Sequence, residues 1–138
     1  MPDLYKDLKK QLIRHEGLRL APYQCTAGKL TIGVGRNLDD NGITEEEAMM
    51  MLDADIANCA AELTINMPWW NQQPVPVKQV LLNMAFNLGL PTLMQFRKFL
   101  THLQTGELSR AAEEMLDSKW ARQVGGRAVE LSEMVRSA

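Results

Sequence analysis

The spacing of the hydrophobic residues predicts a helix at the start of the chain. Over residues 3–15, three leucines recur four positions apart and therefore share one helix face: Leu4, Leu8 and Leu12. Asp3 is a suitable N-cap for this helix, and Gly17 is a suitable residue to end it. Glu16 is then the last side chain before the chain turns, at the end of a rigid element.

The hydrophobic period shortens to two between residues 18 and 36, which predicts a small β region. Pro22 excludes a helix interior, and the Thr-Ala-Gly sequence at 26–28 is typical of a tight turn. Beyond the turn, apolar residues occupy every second position: Leu30, Ile32 and Val34. Thr31 is expected on the opposite, polar face. Because this hairpin follows directly on Glu16, we expect its polar face to form one wall of a cleft.

A long helix and then a helical bundle complete the pattern. Thr44 and Glu47 form a capping box at the start of a helix predicted over residues 44–63. After a proline-containing connection, four further stretches have helical spacing: 77–88, 92–104, 107–119 and a part of 125–136. The predicted order is therefore helix, small β unit, long helix and helical bundle.

Composition limits the class of protein. The chain has 138 residues, 46% hydrophobic and 23% charged, which is typical of one globular domain. A formal net charge of −2 argues against nucleic-acid binding, and no apolar run is long enough to span a membrane. The two cysteines, Cys25 and Cys59, are expected to be free thiols. The start of the sequence has no apolar segment of the secretory type, so we expect synthesis in the cytoplasm without a signal peptide.

Several other chemistries fit the sequence poorly. Residues 37–42 are similar to the start of a calcium-binding loop, but Ala48 stands where that loop needs a glutamate. The glycine pair at 33 and 35 lacks the third glycine of a dinucleotide-binding motif. Cys25, combined with either histidine, has no local signature of a thiol hydrolase. We therefore expect no cofactor and no metal.

Glu16 has two interpretations. A glutamate near a helix end is most often a surface charge. A glutamate beside a hairpin with a polar face also has the geometry that the general acid of a glycosidase requires. In that chemistry the acid protonates the leaving oxygen, and a second group either stabilises or attacks the oxocarbenium-like centre or activates a water.

The spacing of Glu16, Cys25 and Thr31, followed by Ile-Gly-Val-Gly at 32–35, resembles the phage-type lysozymes, or endolysins, of glycoside hydrolase family 24. The Asn-Met-Ala-Phe-Asn-Leu-Gly segment at 83–89 is similar to the helix that lines the far side of the cleft in that family. Lys-Trp at 119–120 and Gly-Arg at 126–127 resemble its last helices, so the similarity covers essentially the whole chain.

The resemblance implies a mainly helical α+β fold of the lysozyme type. Residues 1–138 would form a single domain. A small β-hairpin lobe would lie at about 16–43 and a connecting helix at 44–63, while 1–15 and 64–138 would form a larger helical lobe.

The resemblance also implies an activity: hydrolysis of the β-1,4 bond between N-acetylmuramic acid and N-acetylglucosamine in bacterial peptidoglycan. Glu16 would be the general acid, Cys25 would take the second catalytic position, and Thr31 would help to hold the catalytic water. Arg127 matches the arginine that family members pair with the catalytic glutamate. The expected substrate-binding residues are Arg36, Asn37, Phe86 and Asn87.

The role of Cys25 stays open within this resemblance. A free thiol has a pKa of about 8.5 and is a weaker anion at neutral pH than a carboxylate. Cys25 is therefore a nucleophile, a base or a water-positioning group. Either its pKa is lowered, for instance by a neighbouring cation such as Arg19, or it acts as a neutral polar group beside the water that Thr31 holds.

The expected partners are peptidoglycan glycan strands, with no nucleic acid and no stable membrane insertion, and the chain is expected to be a monomer. It would be made in the cytoplasm of a bacterial host and would reach the wall through a separate, holin-type membrane pore. The alternative is a catalytically silent lysozyme-fold module that binds wall glycan or a partner protein. The presence of Glu16 and Thr31 argues against this alternative, whereas Cys25 leaves it open.

Overall fold

The computed structural model describes residues 3–138, and its elements are mainly helical with one small antiparallel sheet. In this part of the chain the strands are β1 (Arg19–Gln24), β2 (Leu30–Gly33) and β3 (Arg36–Asn37). The helices are α1 (Leu4–Glu16), α2 (Leu38–Asn41), α3 (Glu45–Asn66), α4 (Val75–Leu88), α5 (Leu90–Leu93), α6 (Arg97–Gln104), α7 (Leu108–Leu116), α8 (Lys119–Val124) and α9 (Gly126–Arg136), with a 3₁₀ helix at Pro68–Gln72. The predicted α+β class is confirmed.

The chain divides into two compact units at a point inside α3. The first unit ends at Met50 and contains α1, the sheet, α2 and the start of α3; the second is Met51–Ala138. The division expected from the resemblance, with 1–15 in a helical lobe, remains a prediction. No helix among residues 3–138 has both the length and the hydrophobicity needed to cross a bilayer.

The sheet of the first unit has the order β1-β2-β3 and is antiparallel throughout. The predicted turn between β1 and β2 is confirmed. The N–H of Gly28 donates to the carbonyl of Cys25 at 2.8 Å, and the N–H of Cys25 donates to the carbonyl of Lys29 at 2.9 Å. Gly28 has φ of 76°, which a residue with a side chain rarely adopts.

The alternation along β2 is present, but the buried side chain is the polar one. Thr31 is 3% exposed, whereas Leu30 and Val34 are 40% and 38% exposed. Burial of this hydroxyl is tolerated because it donates to the carbonyl of Lys29 at 2.9 Å. The face that carries Thr31 is therefore the inner face of the hairpin.

Helix α1 has the predicted cap, but its apolar stripe is exposed. A carboxylate oxygen of Asp3 accepts from the N–H groups of Tyr5 and Lys6, both at 3.1 Å. No residue of α1 is buried, and the exposed side chains include all three leucines that predicted the helix: Leu4, Leu8 and Leu12.

The core of the second unit lies where α4, α6, α7 and α9 pack together. Its largest fully buried hydrophobic side chains are Phe99, Leu63, Leu81, Met84, Leu93, Leu103, Met115, Val77, Val80 and Val135. The helix predicted at 92–104 is divided into α5 and α6, and the last predicted stretch is preceded by the separate helix α8. Gly125, with φ of 58°, produces the break between α8 and α9.

An ion pair and a capping box meet at the start of α3. Thr44 and Glu47 exchange hydrogen bonds as predicted, with the N–H of Thr44 donating at 2.9 Å and its hydroxyl accepting at 3.1 Å. Arg36 donates both terminal guanidinium nitrogens to the Glu47 carboxylate, at 3.0 and 2.7 Å. The hydrogen bonds from Arg36, and next from the backbone N–H of Thr44, lower the pKa of Glu47 to about 2.

This lowered pKa predicts a dependence of stability on pH. An unfolded glutamate titrates at about 4.3, so the Glu47 carboxylate stabilises the folded chain fully above that pH. The contribution is lost as the pH falls through the folded value of about 2. In Glu47→Gln, thermal unfolding followed by circular dichroism should therefore depend less on pH between about 5 and 2 than in the wild type.

The neighbouring Glu46→Gln is the matched control and should keep the wild-type slope, since Glu46 makes no side-chain hydrogen bond with any residue of 3–138. Equal slopes in the wild type and Glu47→Gln would contradict the assignment.

Candidate active site

Glu16 lies at the C-terminal end of α1, where the helix stops abruptly. Gly17 has φ of 79°, and its N–H donates to the carbonyl of Ile13 at 2.8 Å. The Glu16 side chain, which is exposed, lies against the backbone of Gly35 in the turn between β2 and β3. A Cβ atom built on Gly35 would stand only 2.9 Å from Oε2 of Glu16. The predicted acid therefore lies beside the predicted hairpin.

Cys25 is a partly exposed free thiol in the part of the chain described. Hydrogen bonds from the backbone of Lys29, and then of Ala27, lower its pKa, against a smaller opposing effect of burial. The Thr31 hydroxyl adds a smaller contribution in the same direction. The Thr31 hydroxyl also lies 2.9 Å from the Lys29 carbonyl. Because it has one proton, it donates either to this carbonyl or to Cys25 at any one time.

A lowered pKa was one of the two alternatives for Cys25. Arg19, which was expected to lower it, is not among the causes. The guanidinium of Arg19 lies over the ring of Tyr23, 5.0 Å from the ring centroid. The backbone of the turn supplies the effect instead. Residue types alone could not reveal this, because the donors are main-chain groups that every sequence has.

Lys29 brings Cys25 and Thr31 together. Its carbonyl accepts the N–H of Cys25 and the hydroxyl of Thr31, each at 2.9 Å. Two of the predicted catalytic residues thus share one hydrogen-bond acceptor at the closed end of the hairpin.

Arg36 and Asn37, expected to bind substrate, both make hydrogen bonds within the first unit. Besides its bonds to Glu47, Arg36 donates to the carbonyl of Gly42 at 3.2 Å. Asn37 caps α2 by accepting the N–H of Asp40 at 3.0 Å, and it donates to the Asp40 carboxylate at 2.8 Å. These bonds give both residues a structural role, and their contact with substrate stays a prediction.

Phe86 and Arg127 line a cavity of about 360 Å³ in the second unit. Phe86 is 49% exposed on α4, so it is not a core residue. Arg127 donates Nε and Nη2 to Oδ1 of Asn83, at 3.0 and 2.7 Å. The expected pair of Arg127 with Glu16 stays a prediction.

Asn87 is anchored by a residue that the sequence argument did not connect with it. Its Oδ1 accepts the indole N–H of Trp120 at 2.9 Å. Asn83 was also missed as the partner of Arg127. The sequence contains a signal for each residue. A buried tryptophan needs an acceptor for its N–H, which indicates a polar partner for Trp120. Asn83 precedes Asn87 by one helical turn, so the two lie on the same face of α4.

Comparison with known proteins decides the family. The sequence model of the family described as Phage lysozyme matches residues 13–136. The chain belongs to the phage lysozyme family. It is therefore a glycoside hydrolase of the lysozyme type, whose substrate class is peptidoglycan, and the resemblance inferred from the motif is confirmed.

Two relatives were found that cover most of this chain. An endolysin of Acyrthosiphon pisum secondary endosymbiont phage 1 is 34% identical over 132 residues, which are 89% of this chain and 84% of the relative. The pre-baseplate central spike protein Gp5 of Enterobacteria phage T4 is 30% identical over 149 residues, which are 88% of this chain and 26% of that protein.

The two thiols should differ in reactivity. Burial, and next the negative charges of Glu62 and Asp55, raise the pKa of Cys59, whereas the pKa of Cys25 is lowered. Because the thiolate is the reactive form, iodoacetamide at neutral pH should modify Cys25 first. Peptide mass spectrometry over a time course measures both rates. The variants Cys25→Ser and Cys59→Ser give each rate alone, and labelling of Cys59 as fast as Cys25 would contradict the assignment.

Proposed function

We propose that this lysozyme is an endolysin that cleaves the β-1,4 bond between N-acetylmuramic acid and N-acetylglucosamine, with Glu16 as the general acid. The observation that carries the proposal is the position of Glu16 at the end of α1, against the turn at Gly35, in the hairpin unit that also holds Cys25 and Thr31. Membership of the phage lysozyme family supports the substrate class.

In the proposed reaction, the protonated carboxyl of Glu16 donates its proton to the glycosidic oxygen as the bond to the sugar breaks. Positive charge then develops at the anomeric carbon of the sugar. The exposed side chain of Glu16 is open to a glycan strand, while the last turn of α1 fixes the position of its Cβ.

Cys25 is proposed to act on the opposite side of the developing positive charge. The hydrogen bonds that lower its pKa increase the thiolate fraction at neutral pH, which supports a role for the thiolate. A thiolate either attacks the anomeric carbon or attracts the proton of a water that attacks it. Thr31 is proposed to hold this water, because its oxygen keeps acceptor capacity while its proton is donated to Lys29.

The proposed sugar contacts in the second unit are Phe86 and Asn87. A half-exposed ring beside a cavity is suited to pack on the apolar face of a pyranose. The Oδ1 atom of Asn87 accepts from Trp120, so its NH₂ group is the part proposed to donate to an N-acetyl or hydroxyl oxygen. Among residues 3–138, Arg36 makes three hydrogen bonds with its five N–H donors, and the remaining donors are proposed to contact substrate. Asn37 is proposed to contact substrate beside it.

The endolysin role rests on the relative of that name, which is similar along most of both sequences. We propose that the protein acts on the wall as a monomer after release through a separate holin-type pore. The spike-protein relative supports a particle-associated role as the second possibility.

Replacement of the proposed acid is the direct test. Glu16→Gln should abolish hydrolysis of purified peptidoglycan with an unchanged circular dichroism spectrum and Tm, since an amide of the same size cannot donate a proton with useful acidity. Turbidity loss measures the rate, and mass spectrometry of the new reducing ends identifies the bond. Glu113→Gln, an exposed glutamate on α7, is the control. Near-normal hydrolysis by a folded Glu16→Gln protein would refute the mechanism.

The second position is tested by changing its charge. An aspartate is ionised at neutral pH without help from the turn, so Cys25→Asp should remain active, whereas Cys25→Ala should lose most activity. Thiol alkylation should inhibit the wild type and leave Cys25→Asp unaffected, because burial raises the pKa of Cys59. Full activity in Cys25→Ala would mean that Glu16 works without this partner.

A further inference from the structure

We infer that Gly35 is a positioning residue for Glu16, because the space left by its missing side chain is where the Glu16 carboxylate lies. The inference rests on the proposed function, in which Glu16 is the acid. Gly35 would then have two roles: its positive φ forms the turn, and its lack of a side chain leaves space for Glu16.

The contact between the two residues is close. A Cβ atom at position 35 would lie 2.9 Å from Oε2 of Glu16 and 3.3 Å from both its Cβ and its Cδ. Non-bonded heavy atoms of this kind are normally separated by about 3.5–4.0 Å. An alanine at 35 would therefore displace the carboxylate, which is free to rotate, more readily than the Glu16 Cβ, which is fixed to α1.

Gly33 provides a comparison within the same segment. Its φ of 70° nearly equals the 67° of Gly35, so a side chain at either position would suffer the same backbone strain. A Cβ at Gly33 would meet no atom within 4 Å among residues 3–138. The two glycines thus share the conformational requirement and differ in the space beside Glu16.

The consequence for catalysis is a matter of placement. A general acid must stand within hydrogen-bond distance of the oxygen that it protonates. A displacement of about 1 Å in a catalytic group costs on the order of 100-fold in rate. The Glu16 carboxylate lies against Gly35, so a side chain at position 35 would move it. Replacement of Gly35 should therefore lower kcat more than it raises KM.

The matched pair Gly35→Ala and Gly33→Ala tests this inference. Both variants should lose Tm, because both place an alanine at a positive φ, and Gly35→Ala should lose more, because only its Cβ crowds Glu16. Gly35→Ala should lower kcat by roughly 10- to 100-fold, with a smaller effect on KM, whereas Gly33→Ala should keep most of its activity. Equal losses of kcat in the two variants would overturn the inference.

A spectroscopic readout separates this inference from the proposed function. With ¹³C-labelled glutamate, the side-chain carboxyl signal of Glu16 is assigned by its disappearance in Glu16→Gln. At fixed pH, this signal should move in Gly35→Ala and stay in place in Gly33→Ala. If Glu16→Gln keeps its hydrolytic activity, the proposed function fails while the signal still tests the contact. An unmoved signal in Gly35→Ala would overturn the inference.

A second variant covers the case in which Gly35→Ala folds poorly. In a Glu16→Gly background, Cβ, Cδ and Oε2 of residue 16 are all gone, so the contacts of its side chain with a Cβ at position 35 are removed. The Tm of Glu16→Gly/Gly35→Ala should then equal that of Glu16→Gly/Gly33→Ala. A persistent deficit at position 35 would mean that another contact forbids the alanine, and the inference would be wrong.

Discussion

A single backbone carbonyl, that of Lys29, holds two residues of the candidate site in place. It accepts the N–H of Cys25 and the hydroxyl of Thr31, both at 2.9 Å. A carbonyl oxygen has two lone pairs, so the two bonds do not compete. One bond closes the β1–β2 turn, and the other satisfies a buried hydroxyl under it. The geometry of the turn and the geometry of the site are therefore set by the same constraint.

The same turn also accounts for the acidity of Cys25. Hydrogen bonds from the backbone of Lys29 and Ala27 favour the thiolate, and no cation among residues 3–138 contributes to the lowered pKa. A surface cation would lose much of its effect in salt, because mobile ions screen charges that are exposed. Donors built into a turn act at contact distance and are present whenever the hairpin is folded. The turn thus favours the anionic form of Cys25. A carboxylate at this position would be anionic at neutral pH without such help.

The sequence predicted the features of the fold whose causes are local. Asp3, the Thr44–Glu47 capping box and the turn at Gly28 each act within three residues of their partners, so the residue pattern contains the whole interaction. The bonds that it missed join distant positions. Arg36 and Glu47 are 11 residues apart, and Arg127 and Asn83 are 44 apart. Such pairs depend on the packing of whole elements, which periodicity does not describe.

The same limit explains why Gly33 and Gly35 could not be told apart in the sequence. Each has a positive φ, and a pattern of alternating glycines indicates a turn that needs this conformation at both positions. Only the structure adds that Glu16, on the preceding helix, occupies the space where one of the two Cβ atoms would be. A glycine that is needed only for its positive φ can have any neighbour. A glycine that is needed because it has no Cβ depends on the particular side chain that occupies this space. Gly35 combines both requirements, so the end of α1 and the β2–β3 turn are constrained together by the carboxylate between them.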